Sequence, residues 1–277
     1  MTDTANGRLR RQLAVLAGIC CAAASLAGSP GSALSTMPQV DRPLTVLQMN
    51  LCNSGAATCY TGRAVDRAAA VIRAETPDIV TLNEICEDDV AALSRSLEAV
   101  SPGGTVLSDF EAAFSLRTGE KVRCRNGRFF GVGLLVHVNG PDPGHRRDGG
   151  RYQMQTRGEQ RVWLCLYVKA TVHACATHLA LGANGVSLAQ CRYLMDTAIP
   201  KMRALDETVP TVVGGDLNLG AVDALACLPP EYSRTDDGDV QHIMIGPGTR
   251  IGSSRTVDMR GATDHPGFVV KLRSQAA

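Results

Sequence analysis

Short apolar runs of strand length recur along this chain with helical segments between them, and that alternation restricts the fold more than any other feature. The runs lie at 44–49 (LTVLQM), 78–83 (DIVTLN), 129–137 (FFGVGLLVH), 161–168, 171–178, 210–215, 240–245 and 266–272. Ala64, Val65, Ala68, Ala69, Val71 and Ile72 share one face of a helix predicted over 62–76, with Arg63, Asp66, Arg67 and Arg73 outside it. Pro77 ends that helix. Further helices are expected over 87–100, where Asp88 and Asp89 fall in the first turn, and over about 187–206. Strands and helices mixed along the whole length predict an α/β sandwich rather than two segregated domains. The segments 138–159 and 246–263, rich in Gly, Pro and charge, read as loops, and 101–128 is mixed and polar.

At the N-terminus, Arg8, Arg10 and Arg11 precede an uncharged apolar stretch over 13–27, and small residues follow it. This order predicts a signal peptide and cleavage region over 1–33, a short linker over 34–43, one domain over 44–273, and a secreted protein. The apolar stretch is too short to span a membrane comfortably, so no integral span is expected after cleavage. Loss of the leader takes three arginines and one aspartate from 28 basic and 27 acidic residues, leaving 25 against 26. Cys20 and Cys21 go with it, and Cys52, Cys59, Cys86, Cys124, Cys165, Cys175, Cys191 and Cys227 remain. An even count in an exported chain predicts a disulfide framework, although eight cysteines allow 105 pairings. Zinc is the competing reading, and the lack of any CxxC pair speaks against it. We expect pairing of sequence neighbours: 52–59, 86–124, 165–175 and 191–227. The third pair has the most local support, because 161–168 and 171–178 alternate around a short turn and set Cys165 opposite Cys175.

Charge and aromatic content narrow the function classes. With a formal net charge of +1 and 4% aromatic residues, the chain has neither an overall basic footprint nor a stacking platform for single strands. A polyanionic ligand must therefore be met by local charge. The arginine-bearing segments from Arg117 to Arg128 and from His145 to Arg151 are candidates for tracking a phosphate backbone, or else plain solvated loops.

Several of the apolar runs end in residues of one chemical kind. LTVLQM leads to Asn50, DIVTL to Asn83-Glu84, TVHACAT to His178, and PTVVGG to Asp216 with Asn218 two residues on. Asp264-His265 directly precedes the last run, and would reach the same rim if that strand ran antiparallel to the others. Turn chemistry explains any one of these residues, but it does not demand Glu, Asp, Asn and two His after separate buried strands. Carboxylate and amide oxygens without thiolates favour a hard cation, Mg²⁺, Mn²⁺ or Ca²⁺, over zinc. The chemistry such a set suits is metal-assisted attack of water on a phosphate ester.

In chain order, Asn50, Glu84, Thr177-His178-Leu179, Gly215-Asp216-Leu217-Asn218 and Thr263-Asp264-His265-Pro266 resemble the endonuclease/exonuclease/phosphatase superfamily, the deoxyribonuclease I-like proteins. The resemblance runs from about residue 44 to 272. It implies an α/β fold, a four-layered sandwich with two packed mixed β-sheets, and a divalent-metal-dependent phosphodiester hydrolase. Position by position, it makes Asn50, Glu84 and Asp264 metal-side residues. Asp216 and Asn218 become the pair that positions water and phosphate, and His178 and His265 the catalytic histidines. Arg161, just before the strand that leads toward His178, is a candidate phosphate contact. A monomer acting on nucleic acid is the favoured reading, ahead of a sphingomyelinase-like phospholipid phosphodiesterase. The latter would want an exposed aromatic or apolar hairpin, and Phe129-Phe130 reads as core.

Two positions depart from the family pattern. Gln241 stands where the family carries an aspartate that orients the last histidine, and an amide cannot stabilise an imidazolium by charge. Gly131-Val132 stands where a Gly-Asn pair is usual. Gln241 leaves open a weakened, secreted binding protein on the same fold. It also makes Gln241→Asp an expected gain of activity if the family logic holds.

Overall fold

In a computed structural model, residues 43–155, 158–182 and 184–274 are described. The expected signal peptide and all but the last residue of the linker lie outside them. In chain order the elements are β1 (Thr45–Asn50), α1 (Ala64–Glu75), β2 (Ile79–Cys86), α2 (Glu87–Glu98), β3 (Gly104–Ala112), β4 (Phe114–Ser115) and β5 (Phe130–Asn139). Then come β6 (His145–Arg151), β7 (Glu159–Gln160), β8 (Val162–Val168), β9 (Val172–His178), α3 (Asn184–Tyr193), a π-helical turn (Leu194–Ala198) and α4 (Ile199–Arg203). The last are β10 (Thr211–Asp216), α5 (Ala221–Leu225), β11 (Ser233–Asp236), β12 (Gln241–Ile245), β13 (Thr249–Val257) and β14 (Gly267–Ser274).

Two six-stranded mixed sheets form, in the orders β13-β14-β1-β2-β5-β3 and β11-β12-β10-β9-β8-β6. Strand alternation sends the side chains of each sheet to two faces. In β1, Val46 joins the apolar core between the sheets, whereas Leu47 and Met49 pack with Ala68, Ile72 and Leu93 of the helices α1 and α2. In β10, Val212 faces the opposite sheet and Val213 packs with Met195 and Ile199 of the α3–α4 segment. The fold is an α/β sandwich. The helix expected over 187–206 is present, with a π turn inside it.

Three segments expected to be loop or mixed structure contain strands. They hold β3, β6 and β13, and together with β11 these are the four sheet edges. Edge strands keep one face in water and carry polar and charged residues, so their apolar signal is weak. β6 reads HRRDGGR and β13 reads TRIGSSRTV.

All four expected disulfides form: Cys52–Cys59, Cys86–Cys124, Cys165–Cys175 and Cys191–Cys227. Cys165 lies directly opposite Cys175 in the β8–β9 ladder. On the chain-entropy model, the 38-residue separation of Cys86 and Cys124 corresponds to about 4 kcal/mol of stabilisation.

One buried histidine away from the strand-end set makes stability depend on pH. His173 is fully buried, stacks on Tyr167 with ring centroids 4.9 Å apart, and donates from Nε2 to the carbonyl oxygen of Asp206 at 2.8 Å. Burial pushes its pKa below the ordinary 6.5. The unfolded chain then binds this proton more readily than the native one. The neutral ring's contribution is complete above about pH 6.5 and fades as pH falls below that value. His173→Phe keeps the stack and removes the titration. The melting temperature of wild type relative to this variant is expected to fall between about pH 8 and about pH 5. A gap that stays constant would show that His173 does not titrate in this way.

Candidate active site

The polar residues that end the apolar strands come together at one rim of the sandwich, and the ladder registers explain why. β1 and β2 run parallel, as do β9 and β10, so Asn50 lies beside Asn83 and Asp216 beside His178. β12 is antiparallel to β10 and presents Gln241 in register with Asp216. β14 is antiparallel to β1, with Phe268 opposite Gln48, so the Asp264-His265 turn before it arrives at the same rim.

Local backbone aims two of these side chains. The β2–β5 register shifts between Leu82 and Ile85, and Glu84 inside this bulge has φ of 53°. A left-handed glutamate within a strand is strained, and the bulge turns its side chain off the regular ladder. Asn218 has φ of 48°, which asparagine tolerates well. Its backbone N–H donates to Asp216 Oδ1 at 2.9 Å and its side-chain amide to the Leu179 carbonyl at 2.9 Å. Asn218 therefore binds the loop after β10 to the loop after β9.

The centre is a cluster of acids and imidazoles. Asn50 Nδ2 donates to Glu84 Oε1 at 3.1 Å and to Asp216 Oδ2 at 3.0 Å. His178 Nε2 lies 3.9 Å from Glu84 Oε1 and 3.8 Å from Asp216 Oδ2. His265 Nε2 lies 3.8 Å from the same Asp216 oxygen and 3.9 Å from Asp264 Oδ1. Burial raises the pKa of Glu84, and Asp216 and Asp264 add to the effect while Asn50 and Arg161 oppose it. Burial likewise raises that of Asp216, against its bonds from Asn50 and Asn218 and the charges of His265 and Arg161.

Arg161 fixes the state of His178. Its guanidinium donates to Glu159 Oε1 at 2.8 Å and to His178 Nδ1 at 3.0 Å. A guanidinium has no acceptor, so Nδ1 carries the lone pair and the ring proton sits on Nε2, toward Glu84 and Asp216. Burial, and then Arg161 and His265, hold the His178 pKa well below 6.5. His178 is thus a neutral donor. Arg161, read as a phosphate contact from the sequence, has its described bonds to Glu159 and His178 and also lines the site cavity.

Gln241 does not reach the His265 ring in any described hydrogen bond. Its Nε2 donates to Asp237 Oδ2 at 2.9 Å and to the Pro266 carbonyl at 2.8 Å. Its Oε1 accepts from the Asn50 backbone at 3.2 Å and from Gln48 Nε2 at 3.3 Å. The glutamine therefore acts on His265 through the backbone of the next residue.

Sequence reading missed the amide layer beneath the site. Gln48, Asn83 and Gln241 are each fully buried. Gln48 Nε2 donates to Asn83 Oδ1 at 2.7 Å, Asn83 Nδ2 to the Thr177 carbonyl at 2.7 Å, and the Asp216 N–H to Asn83 Oδ1 at 2.8 Å. This chain of amides joins β1 and β2 to β9, β10 and β12. A side chain at Gly214 would run into Thr81 across the gap, so glycine there lets the sheets come close enough for the amides to bridge. Polar residues at alternate, inward positions of apolar strands, Gln48 and Asn50 in β1 and Thr81 and Asn83 in β2, were the available signal.

The donor set fits a hard cation. Glu84 and Asp216 share one amide donor, their imidazole neighbour His178 is neutral, and a third carboxylate, Asp264, stands close by. Partly buried oxygen charge of this kind suits Mg²⁺, Mn²⁺ or Ca²⁺. Cys52 and Cys59 also lie within 4.8 Å of a Glu84 oxygen, but they are joined as a disulfide and offer no thiolate.

Comparison with solved structures places the fold. An endonuclease/exonuclease/phosphatase from Beutenbergia cavernae DSM 12333 matches at 22% identity and a TM-score of 0.64, over 85% of this chain and 72% of that one. The human Nocturnin catalytic domain with bound sulfate matches at 14% identity and a TM-score of 0.61, over 85% and 96%. D. rerio TDP2 complexed with a single-strand DNA product matches at 14% identity and a TM-score of 0.57, over 84% and 99%. No family model and no curated protein matches the sequence. The chain has the deoxyribonuclease I-like fold of the endonuclease/exonuclease/phosphatase proteins.

Proposed function

We propose that this protein is a secreted, divalent-metal-dependent phosphodiesterase whose substrate is nucleic acid. The observation that carries the reading is the convergence of Asn50, Glu84, His178, Asp216, Asp264 and His265 at one rim, with Asp216 Oδ2 3.8 Å from both imidazole Nε2 atoms. Glu84, Asn50 and Asp264 would hold the cation, which supplies charge neutralisation at a phosphoryl oxygen. Asp216 takes a proton from the attacking water as its oxygen bonds to phosphorus and the ester P–O bond breaks. His178 donates its Nε2–H to a phosphoryl oxygen, a role that suits a fixed neutral imidazole. His265, whose Nε2 also lies 3.8 Å from Asp216 Oδ2, gives a proton to the leaving oxygen. Asn218 keeps Asp216 oriented.

Export is supported by the four disulfides, which oxidising compartments favour. Among the described residues, no helix is long and apolar enough to cross a membrane. Support for nucleic acid comes from the strand bound in the TDP2 structure.

The test uses purified protein with Mg²⁺ or Mn²⁺ on single-stranded DNA, plasmid DNA, sphingomyelin vesicles and bis-p-nitrophenyl phosphate. Cleavage of DNA and of the small ester is expected, abolished by chelation and lowered at least about a hundredfold in His178→Ala. Equal rates for wild type and His178→Ala would end the enzyme reading. Activity on sphingomyelin and none on DNA would replace the substrate.

A further inference from the structure

The two basic segments of the sequence separate into neutralised and free halves once folded. Arg147 pairs with Asp109 at 2.8 Å and with Glu111, His145 with Asp142 at 2.8 Å, and Arg128 lies 3.9 Å from Asp88. Lys121, Arg123 and Arg151 are exposed, and among the described residues none of them is ion-paired to a carboxylate. Each instead lies over an aromatic ring. Lys121 Nζ is 4.8 Å and Arg123 Cζ 4.4 Å from the centre of the Phe129 ring, and Arg151 Cζ is 4.2 Å from that of Phe114. Phe129, expected in the core, is half-buried because these two cations cover it; its neighbour Phe130 is the core residue. Rings held this way prop long cationic side chains in place while leaving their charge open to an anion.

The array is built onto the active site. A cavity of about 340 Å³ is lined by Glu84, Arg161 and Arg123, and a second of about 330 Å³ by Arg123, Lys121, Phe114 and Phe129. Arg123 belongs to both. One acid, Glu120, also lines the second cavity, so the cations outnumber it. Phe114 bridges to Lys121 and also pairs with Gln160 in the β4–β7 ladder, while Arg123 bridges to Phe129. A continuous ribbon thus runs from Glu159 and Arg161 to Phe129. The Cys86–Cys124 disulfide ties this ribbon, at the residue after Arg123, to the end of β2 two residues beyond Glu84.

We infer that Lys121, Arg123 and Arg151, propped on Phe129 and Phe114, form a second phosphate-binding subsite beside the reacting phosphate, so that the substrate is a polynucleotide strand whose neighbouring phosphate sits there. This deepens the phosphodiesterase reading and rests on it. A substrate with one phosphate leaves the subsite empty. A choline headgroup would bring a cation toward three cations, which disfavours that lipid class. The subsite gives the near-neutral chain the local charge that a polyanion needs.

The experiment separates binding from turnover. A fluorescent single-stranded oligothymidylate of about 12 nucleotides, within the usual range of single-strand site sizes, is titrated onto the Asp216→Asn protein with Mg²⁺. The same is done with the triple variant Lys121→Gln, Arg123→Gln, Arg151→Gln in that background. The triple change is expected to weaken strand binding at least tenfold. It should also flatten the slope of log affinity against log salt by about 0.7, as loss of one neutralised single-strand phosphate implies. In the active background, strand cleavage should fall at least tenfold further than bis-p-nitrophenyl phosphate hydrolysis. Charge-keeping Lys121→Arg with Arg151→Lys should retain most of the strand affinity. Unchanged strand affinity and salt slope in the triple variant would overturn the subsite, as would equal losses on both substrates. Failure of the wild type on the small ester would instead sink the phosphodiesterase reading, while the binding titration would still report on the subsite.

Discussion

Asp216→Asn is expected to reduce phosphodiester hydrolysis at least about a hundredfold while the metal-free protein melts within about 3 °C of wild type. The substitution keeps the shape of the side chain and removes its charge and its basicity. Asp216 Oδ2 faces both imidazole Nε2 atoms at 3.8 Å, and an amide there can no longer take a proton from water. Two changes in stability oppose each other. Burial raises the Asp216 pKa, so the native state holds its proton more tightly than the unfolded chain. Above that raised pKa, the ionised carboxylate costs native stability, and asparagine removes the cost. Against this, the new amide meets the Asn50 amide that donated to Oδ2 at 3.0 Å, and one such mismatch costs about 1 kcal/mol. Effects of that size shift the melting temperature of a domain of this length by only a few degrees. Calorimetry beside steady-state rates reads both quantities. A fold that collapses with the activity would make Asp216 a structural residue, and retained activity would remove it from the reaction.

Gln241→Asp is expected to destabilise the protein by about 3 kcal/mol and to lower its activity. This reverses the gain that the family pattern suggests. The glutamine uses both ends of its amide: two donations, to Asp237 and the Pro266 carbonyl, and two acceptances, from Asn50 and Gln48. Aspartate cannot donate, is one methylene shorter, and would bring a buried charge toward the carboxylate of Asp237. The Pro266 carbonyl would lose its donor, and with it the turn that carries His265 would loosen. Urea unfolding checks the stability, and turnover of the small ester checks the position of His265. A faster Gln241→Asp enzyme of normal stability would show that the imidazole does need a carboxylate at this position.

How much of this was readable along the chain depended on burial. The interior strands β1, β2, β5, β8, β9, β10, β12 and β14 were legible because strands buried on both faces are apolar over their whole length. All four edge strands were missed, since an edge in water tolerates sequences such as HRRDGGR in β6. The site followed the same rule. Asn50, Glu84, His178 and Asp216 stood out because each breaks an apolar run, whereas Glu159 sits in a polar segment where nothing marks it, and Lys121 in a basic segment that reads equally as a solvated loop. Gln48 and Asn83 were visible as polar residues at inward positions, yet no local signal assigned them partners.

The chain's own pattern was enough to indicate the sandwich, the order of its interior strands in sequence, the strand-end residues and the facing of Cys165 and Cys175. Each of these is written in short-range periodicity or in spacing, which adjacent residues specify. Which side chains meet once the strands are in register was decided by folding alone. Arg161 on His178, Gln241 beneath Pro266, and Lys121 with Arg123 on Phe129 are contacts that depend on registers between strands and on the reach of side chains. No run of neighbouring residues encodes such distances. They turn His178 into a fixed neutral donor and give a nearly uncharged chain one cationic track.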